Sequence, residues 1–171
     1  DGATEIQNLA IGDLILTAKG EAKAVKWIGR RQCERASTPD AAPVKIARFA
    51  IDGTAPTADL YVSPGHAIYV DGMLIPVVDL VNGSTIQADA KPEIQTITYY
   101  HVELDTHEVI LAEGLPTESF LGDNRAAFEN ADEYIRLYGS HGSGGKPESA
   151  QILSLSRFLT ENRFPLFRKA L

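Results

Sequence analysis

Three of the four histidines in this chain fall in two stretches that alternate as β-strands do. The first, Leu60-Tyr-Val-Ser-Pro-Gly-His-Ala-Ile-Tyr-Val70, places His66 directly after a Ser-Pro-Gly bend. The second, from Ile97 to Gly114, carries His101 and His107 with Glu103 and Asp105 between them. Histidine can both give and take a proton near neutral pH, and a neighbouring carboxylate orients an imidazole or raises its pKa. Proton transfer is therefore the first chemistry these stretches imply; surface or hydrogen-bonded structural histidines are the alternative. On a strand, His101, Glu103 and Asp105 share one face and Val102 and Leu104 the other, alternate residues lying about 6.6–6.8 Å apart. A straight strand brings His107 to the same face, whereas a turn at Asp105-Thr106 breaks the parity. The His-x-Glu-x-Asp-x-His run also admits a metal reading, because imidazole and carboxylate suit zinc, manganese or iron. Against it stands a plain solvated polar face.

Ser63, three residues before His66, raises a Ser–His nucleophile pair. No Gly-x-Ser-x-Gly elbow surrounds it, and Pro64 implies a bend, so the expected job of the hydroxyl is a hydrogen bond to backbone in the turn. His66, at the mouth of that turn, is then placed to donate a proton to a leaving nitrogen. Cys33, within Arg30-Arg-Gln-Cys-Glu-Arg35, is the single cysteine, which excludes an intrachain disulfide and a Cys-based zinc site. Flanking arginines lower a thiol pKa, but the expectation here is an incidental surface or loop residue. His141 sits in a Gly/Ser-rich stretch that lacks phosphate-loop spacing and is given no role.

The elements that must position these residues are mostly short strands. Candidates are Asp13–Thr17, Ala24–Ile28, Val44–Phe49, Leu60–Val62, Ala67–Val70, Met73–Pro76 and Thr85–Ile86. The turn around Gly20, Asp71-Gly72 and Asn82-Gly83 are the turn signals between them. Close-spaced strands with Gly-rich turns predict a mainly β fold of curled hairpins rather than βαβ units. After Gly114 the pattern changes. Residues 125–138 have helical spacing, with Phe128, Ala131, Ile135 and Tyr138 as an apolar stripe. We divide the chain into a β domain at 1–128, a helix at 129–139, a flexible linker at 140–147 and a C-terminal amphipathic helix at 148–171. Pro165 should end or kink that last helix.

With 171 residues the chain is long enough for one domain with a real core, and 44% hydrophobic and 23% charged residues match a globular protein. A net charge of −7 argues against nucleic acid or an anionic membrane surface as partner. No apolar run approaches the roughly 20 residues that span a bilayer. The first residues lack the basic and apolar regions of a signal peptide and do not open on Met, so an upstream segment is expected to have been removed.

Several motifs together resemble the Hint domain, the module shared by inteins and the hedgehog autoprocessing domain. Gln7-Asn-Leu-Ala-Ile-Gly-Asp-Leu-Ile-Leu-Thr17 is similar to its early strand, and Val62–Val70 resembles its Thr-x-x-His motif with Ser63 in place of Thr. Tyr100-His-Val-Glu-Leu104 with Ala112-Glu-Gly114 resembles the late intein motif. Trp27–Arg31, Asp71–Pro76, Leu80–Gly83, His101–Leu104 and Ala112–Pro116 resemble, in order, the runs that typify a bacterial Hint subfamily. The likeness covers about residues 7–128. It implies a horseshoe-like, mostly β fold with C-terminal helices and autoproteolytic chemistry, in which a cysteine opening the domain attacks the preceding carbonyl by an N-to-S acyl shift. By position, His66 protonates the departing nitrogen, Ser63 orients the bond, His101 stands where inteins carry an Asp and acts as base, and Glu103 orients His101.

Two departures qualify the likeness. No cysteine precedes Asp1 in these residues and Cys33 comes too late to replace it, so the expectation is an inactive fragment of an active precursor. The terminal intein His-Asn is replaced by Glu118-Ser119, which points to cleavage rather than splicing. The substrate implied is the chain's own upstream polypeptide; neither cofactor nor metal is called for. The alternative function is a non-catalytic Hint-like binding module that uses its C-terminal helices as a contact.

Overall fold

The computed structural model describes residues 3–90, 92–122 and 124–139 and the backbone of Leu166–Arg168. Strands dominate. They are β1 (Ala3–Glu5), β2 (Leu14–Leu16), β3 (Ala22–Ala24), β4 (Trp27–Glu34), β5 (Val44–Ile46), β6 (Leu60–Val62), β7 (Ala67–Val70), β8 (Met73–Pro76), β9 (Ile86–Gln87), β10 (Thr96–Glu103), β11 (Val109–Ala112), β12 (Leu115–Glu118) and β13 (Leu166–Arg168). One α-helix, α1 (Ala131–Tyr138), follows the β region among the described residues. A mainly β fold of antiparallel hairpins is thus what the chain adopts.

The strands form a six-stranded sheet in the order β1-β13-β11-β12-β7-β8, a three-stranded sheet β6-β5-β9, and two ribbons, β2-β3 and β10-β4. The β7–β8 hairpin follows from its turn: Asp71 and Gly72 have φ of 49° and 84°, the left-handed pair that a two-residue turn needs to match strand twist. Its register pairs Val70 with Met73 and Ala67 with Pro76. Asn82 organises a different loop, its side-chain carbonyl accepting from the N–H groups of Ser84, Thr85 and Ile86 before β9 begins.

β4 and β10 pair along their full lengths, from Trp27↔Glu103 to Glu34↔Thr96. Alternation predicts a strand only over Ala24–Ile28, short of where β4 ends. The arginines hid the period: Trp27, Gly29 and Cys33 turn inward while Arg30, Gln32 and Glu34 face solvent. Cys33 is accordingly buried in the core rather than a surface or loop residue, and burial raises its thiol pKa. The expected strand over 44–49 ends at Ile46, because Phe49 turns back with φ of 62°.

Apolar side chains collect in two clusters. The larger, around Ile15, Val25, Ile46, Leu60, Ile68, Val77, Ile110 and Leu115, packs among the sheets. The smaller is aromatic, with Trp27, Ile97, Tyr99, Phe120, Phe128 and Tyr134 gathered against the β10–β4 ribbon. The helical stripe expected over 125–138 has a different phase. Residues Arg125–Ala127 form a 3-10 turn and α1 starts only at Ala131, so Tyr134 is buried and Ile135 exposed. The linker at 140–147 and most of the segment 148–171 lie outside the described residues. Within that segment Leu166–Arg168 is a strand, not helix, pairing antiparallel with β1.

Candidate acid-base site

His66 stands at the end of a tight turn immediately before β7. Its N–H donates to the Ser63 carbonyl at 3.0 Å, closing the Ser63-Pro64-Gly65-His66 reverse turn, and its carbonyl accepts from Val77 at 2.9 Å. Val78 N–H reaches the Pro64 carbonyl at 3.0 Å, and Ala67 N–H donates to Glu118 Oε1 at 2.8 Å. Backbone on both sides of the imidazole is therefore pinned. The Ser63 hydroxyl does not make the backbone hydrogen bond expected of it: Oγ is buried and has no partner among the described residues. A buried hydroxyl without a partner carries a desolvation penalty of about 1–3 kcal/mol and is open to a bond from a ligand.

His101 comes from β10, opposite Gly29 of β4. It is buried, as are Glu103 and Ser63. The solvated polar face is therefore excluded for His101 and Glu103. The ring of His101 lies 5.8 Å from that of His66, centroid to centroid, and meets the edges of Phe120 at 5.6 Å and Phe128 at 5.5 Å. Gly29 makes this packing possible. A Cβ there would stand 2.6 Å from the Phe128 ring and 2.8 Å from Trp27, far inside van der Waals contact.

This surround sets the charge state. His66 keeps a partial opening to solvent, but protein encloses its ring, and the loss of hydration lowers its pKa to about 4. Burial brings His101 to about 3, with the proximity of His66 as a second cause. Both imidazoles are neutral at neutral pH, each with a ring nitrogen able to accept and another able to donate.

Glu103 lies on the same side of β10 as His101, yet both its oxygens meet Arg125, at 2.8 Å from Nε and 2.7 Å from Nη2. Lys26 Nζ adds a cation at 3.6 Å. This bidentate pair is strong and directional, and it ties Glu103 to residues beyond β10. β10 ends at Glu103, and the chain bends at Asp105-Thr106. Asp105 is consequently exposed, its side chain 90% accessible, and His107 leaves the shared face to lie 3.9 Å from Glu118. Among the described residues no three His, Cys, Asp or Glu side chains are grouped to hold a metal.

The site thus joins His66, at the end of the turn before the β7–β8 hairpin, to His101 on the ribbon. Arg125, Phe120, Phe128 and Gly29 complete it; the sequence marks Phe128 only as part of a helical stripe and gives the other three no role in the site. Only Gly29 left a signal, as a small residue inside a strand, which marks a close approach. Mostly antiparallel β structure surrounds a neutral histidine pair whose ring nitrogens can accept and donate protons. The Hint domain family model matches residues 1–124, and the chain belongs to that family. No curated protein and no solved structure matches it.

Proposed function

We propose that this Hint domain processes its own precursor, cleaving the peptide bond before an upstream cysteine. The observation that carries this reading is the pair of neutral imidazoles, His101 buried and His66 partly so, with ring centroids 5.8 Å apart within a Hint domain. The reaction moves one proton and needs no net supply. The cysteine sulfur adds to the preceding carbonyl and its proton passes to an imidazole, His101 acting as base. The tetrahedral species collapses, the carbon–nitrogen bond breaks, and the departing nitrogen takes a proton from His66 as the proton held by His101 passes across to His66, which leaves both imidazoles neutral again. An imidazolium in so desolvated a place is a strong acid, which favours its giving up that proton at once. The product is a thioester, which water hydrolyses to release the upstream segment.

Ser63 is the natural hydrogen-bond partner for the scissile peptide, since its buried hydroxyl has none within the described residues. Glu103 acts at one remove, holding the ribbon through Arg125. Cys33 does not serve as nucleophile, being buried with its thiol pKa raised. Splicing is disfavoured because Glu118 and Ser119 occupy the place of a cyclising Asn and are engaged, Glu118 with Ala67 and Ser119 with Glu108.

The test is a precursor extended upstream through its natural sequence and held under reducing conditions. Cleavage immediately before the cysteine is expected, falling at least a hundredfold in His66→Ala and tenfold or more in His101→Ala. An intact cysteine-bearing precursor after days at neutral pH would remove this reading. Equal cleavage in His66→Ala would do the same.

A further inference from the structure

The family match ends at residue 124, and the segment that follows is laid along the open edge of β4. Arg30 N–H donates to Asn130 Oδ1 at 2.8 Å, and Asn130 Nδ2 donates to the Ile28 carbonyl at 2.9 Å. Glu129 N–H reaches the Arg30 carbonyl at 2.8 Å, and Gln32 N–H reaches Glu129 Oε1 at 2.7 Å. Two residues thus satisfy four consecutive groups on the edge that β10 does not use. Arg125 anchors the start of this arm on Glu103, and the Tyr138 hydroxyl anchors its end on the Lys26 carbonyl at 2.7 Å. Between the anchors the arm delivers Phe128 to the one place on the ribbon where a glycine leaves room for a ring, and that ring lies against His101.

We propose that the arm 125–138 belongs to the acid-base machinery, with Phe128 as the positioning residue that holds the His101 ring towards His66 and keeps water from its outer side. This rests on the reading of His101 as a proton-transfer group. The supporting observations are the Gly29 notch, the edge contact with His101 and the anchoring of the arm at both ends on β4, Lys26 and Glu103. The charged groups around this face are Glu103, Arg125 and Lys26, with His66 opposite.

The experiment is a histidine titration by NMR on the 171-residue chain, which needs no cleavage. Phe128→Ala should admit water and raise the His101 titration point by at least one pH unit, whereas Phe128→Leu, which keeps the apolar cover, should hold it near the wild-type value. Ile46→Ala, a comparable loss from the other core cluster, should not move it. Should Phe128→Ala fail to fold, Gly29→Ala displaces the same ring and should shift the same titration. In a folded variant of either kind, an unmoved His101 overturns the proposal, as does an equal shift in Ile46→Ala. Cleavage of the cysteine-bearing precursor should slow at least tenfold in Phe128→Ala and recover in Phe128→Leu. A wild-type precursor that never cleaves counts against autoprocessing, while the titration judges the arm separately.

Discussion

At the scale of the residue, the site is a matter of where water has been removed. Two histidines enclosed by protein hold pKa values of about 4 and about 3 against an ordinary value near 6.5. Both folded-state values are lowered, so between pH 6.5 and about 4 the unfolded chain binds more protons than the folded one. Stability is then whole above pH 6.5 and declines as pH falls towards 4 and, through His101, on towards 3, flattening once the folded histidines are themselves protonated. A pKa lowered from about 6.5 to about 4 corresponds to about 3 kcal/mol. Urea unfolding at pH 7 and pH 4.5 should show wild-type stability falling by a few kcal/mol. The double variant His66→Gln/His101→Gln should lose most of that dependence; a slope as steep as the wild type's would contradict the assignment. Asp52, Asp59 and Glu108, whose carboxyl pKa values are lowered, withdraw their own contribution only at lower pH. The pairing of His66 with His101 could be approached in sequence through their strand contexts. The loss of charge at His101 could not, because it depends on Phe120 and Phe128, which the fold brings against its ring.

At the scale of the element, the β10–β4 ribbon does the positioning and the arm locks it. The Glu103–Arg125 pair is mostly buried, with side-chain exposures of 4% and 18%, so removing Arg125 takes away the bidentate partner and leaves the Glu103 carboxylate only Lys26 at 3.6 Å. Arg125→Met should lower stability by about 3 kcal/mol, and Glu103→Leu with Arg125→Met should recover much of the loss, since an apolar pair of similar volume avoids desolvating either charge. Thermal and urea melts would check this; a double variant no more stable than Arg125→Met would show that the pair stabilises in its own right. Hairpins were legible where a turn residue forces the backbone, as at Asp71-Gly72, and the strands flanking that turn fall where alternation puts them. β4 was not legible whole, because Arg30 and Arg31 interrupt an apolar period whose inward members are a tryptophan, a glycine and a cysteine. The buried face of the arm departs from the stripe its spacing predicts for a related reason. Glu129 and Asn130 are spent on the edge of β4, which delays the helix and rotates its buried face to Tyr134.

At the scale of the whole molecule, the site sits where two structural units meet. One histidine leads into the six-stranded sheet and the other belongs to the two-stranded ribbon, each backed by its own apolar cluster. The family was legible from the order of short motifs, each modest alone, and the family model's match over residues 1–124 agrees with it. The processing chemistry was legible only as an implication of that likeness, since the geometry that favours it depends on folding. The central claim is an acyl transfer to sulfur, and its product is a thioester. The most direct measurement is mass spectrometry of the upstream segment released from the cysteine-bearing precursor in the presence of hydroxylamine. Release of that segment as a C-terminal hydroxamate is expected, and its loss in His66→Ala. Release only as a free acid at an unchanged rate, or no release at all, would contradict it.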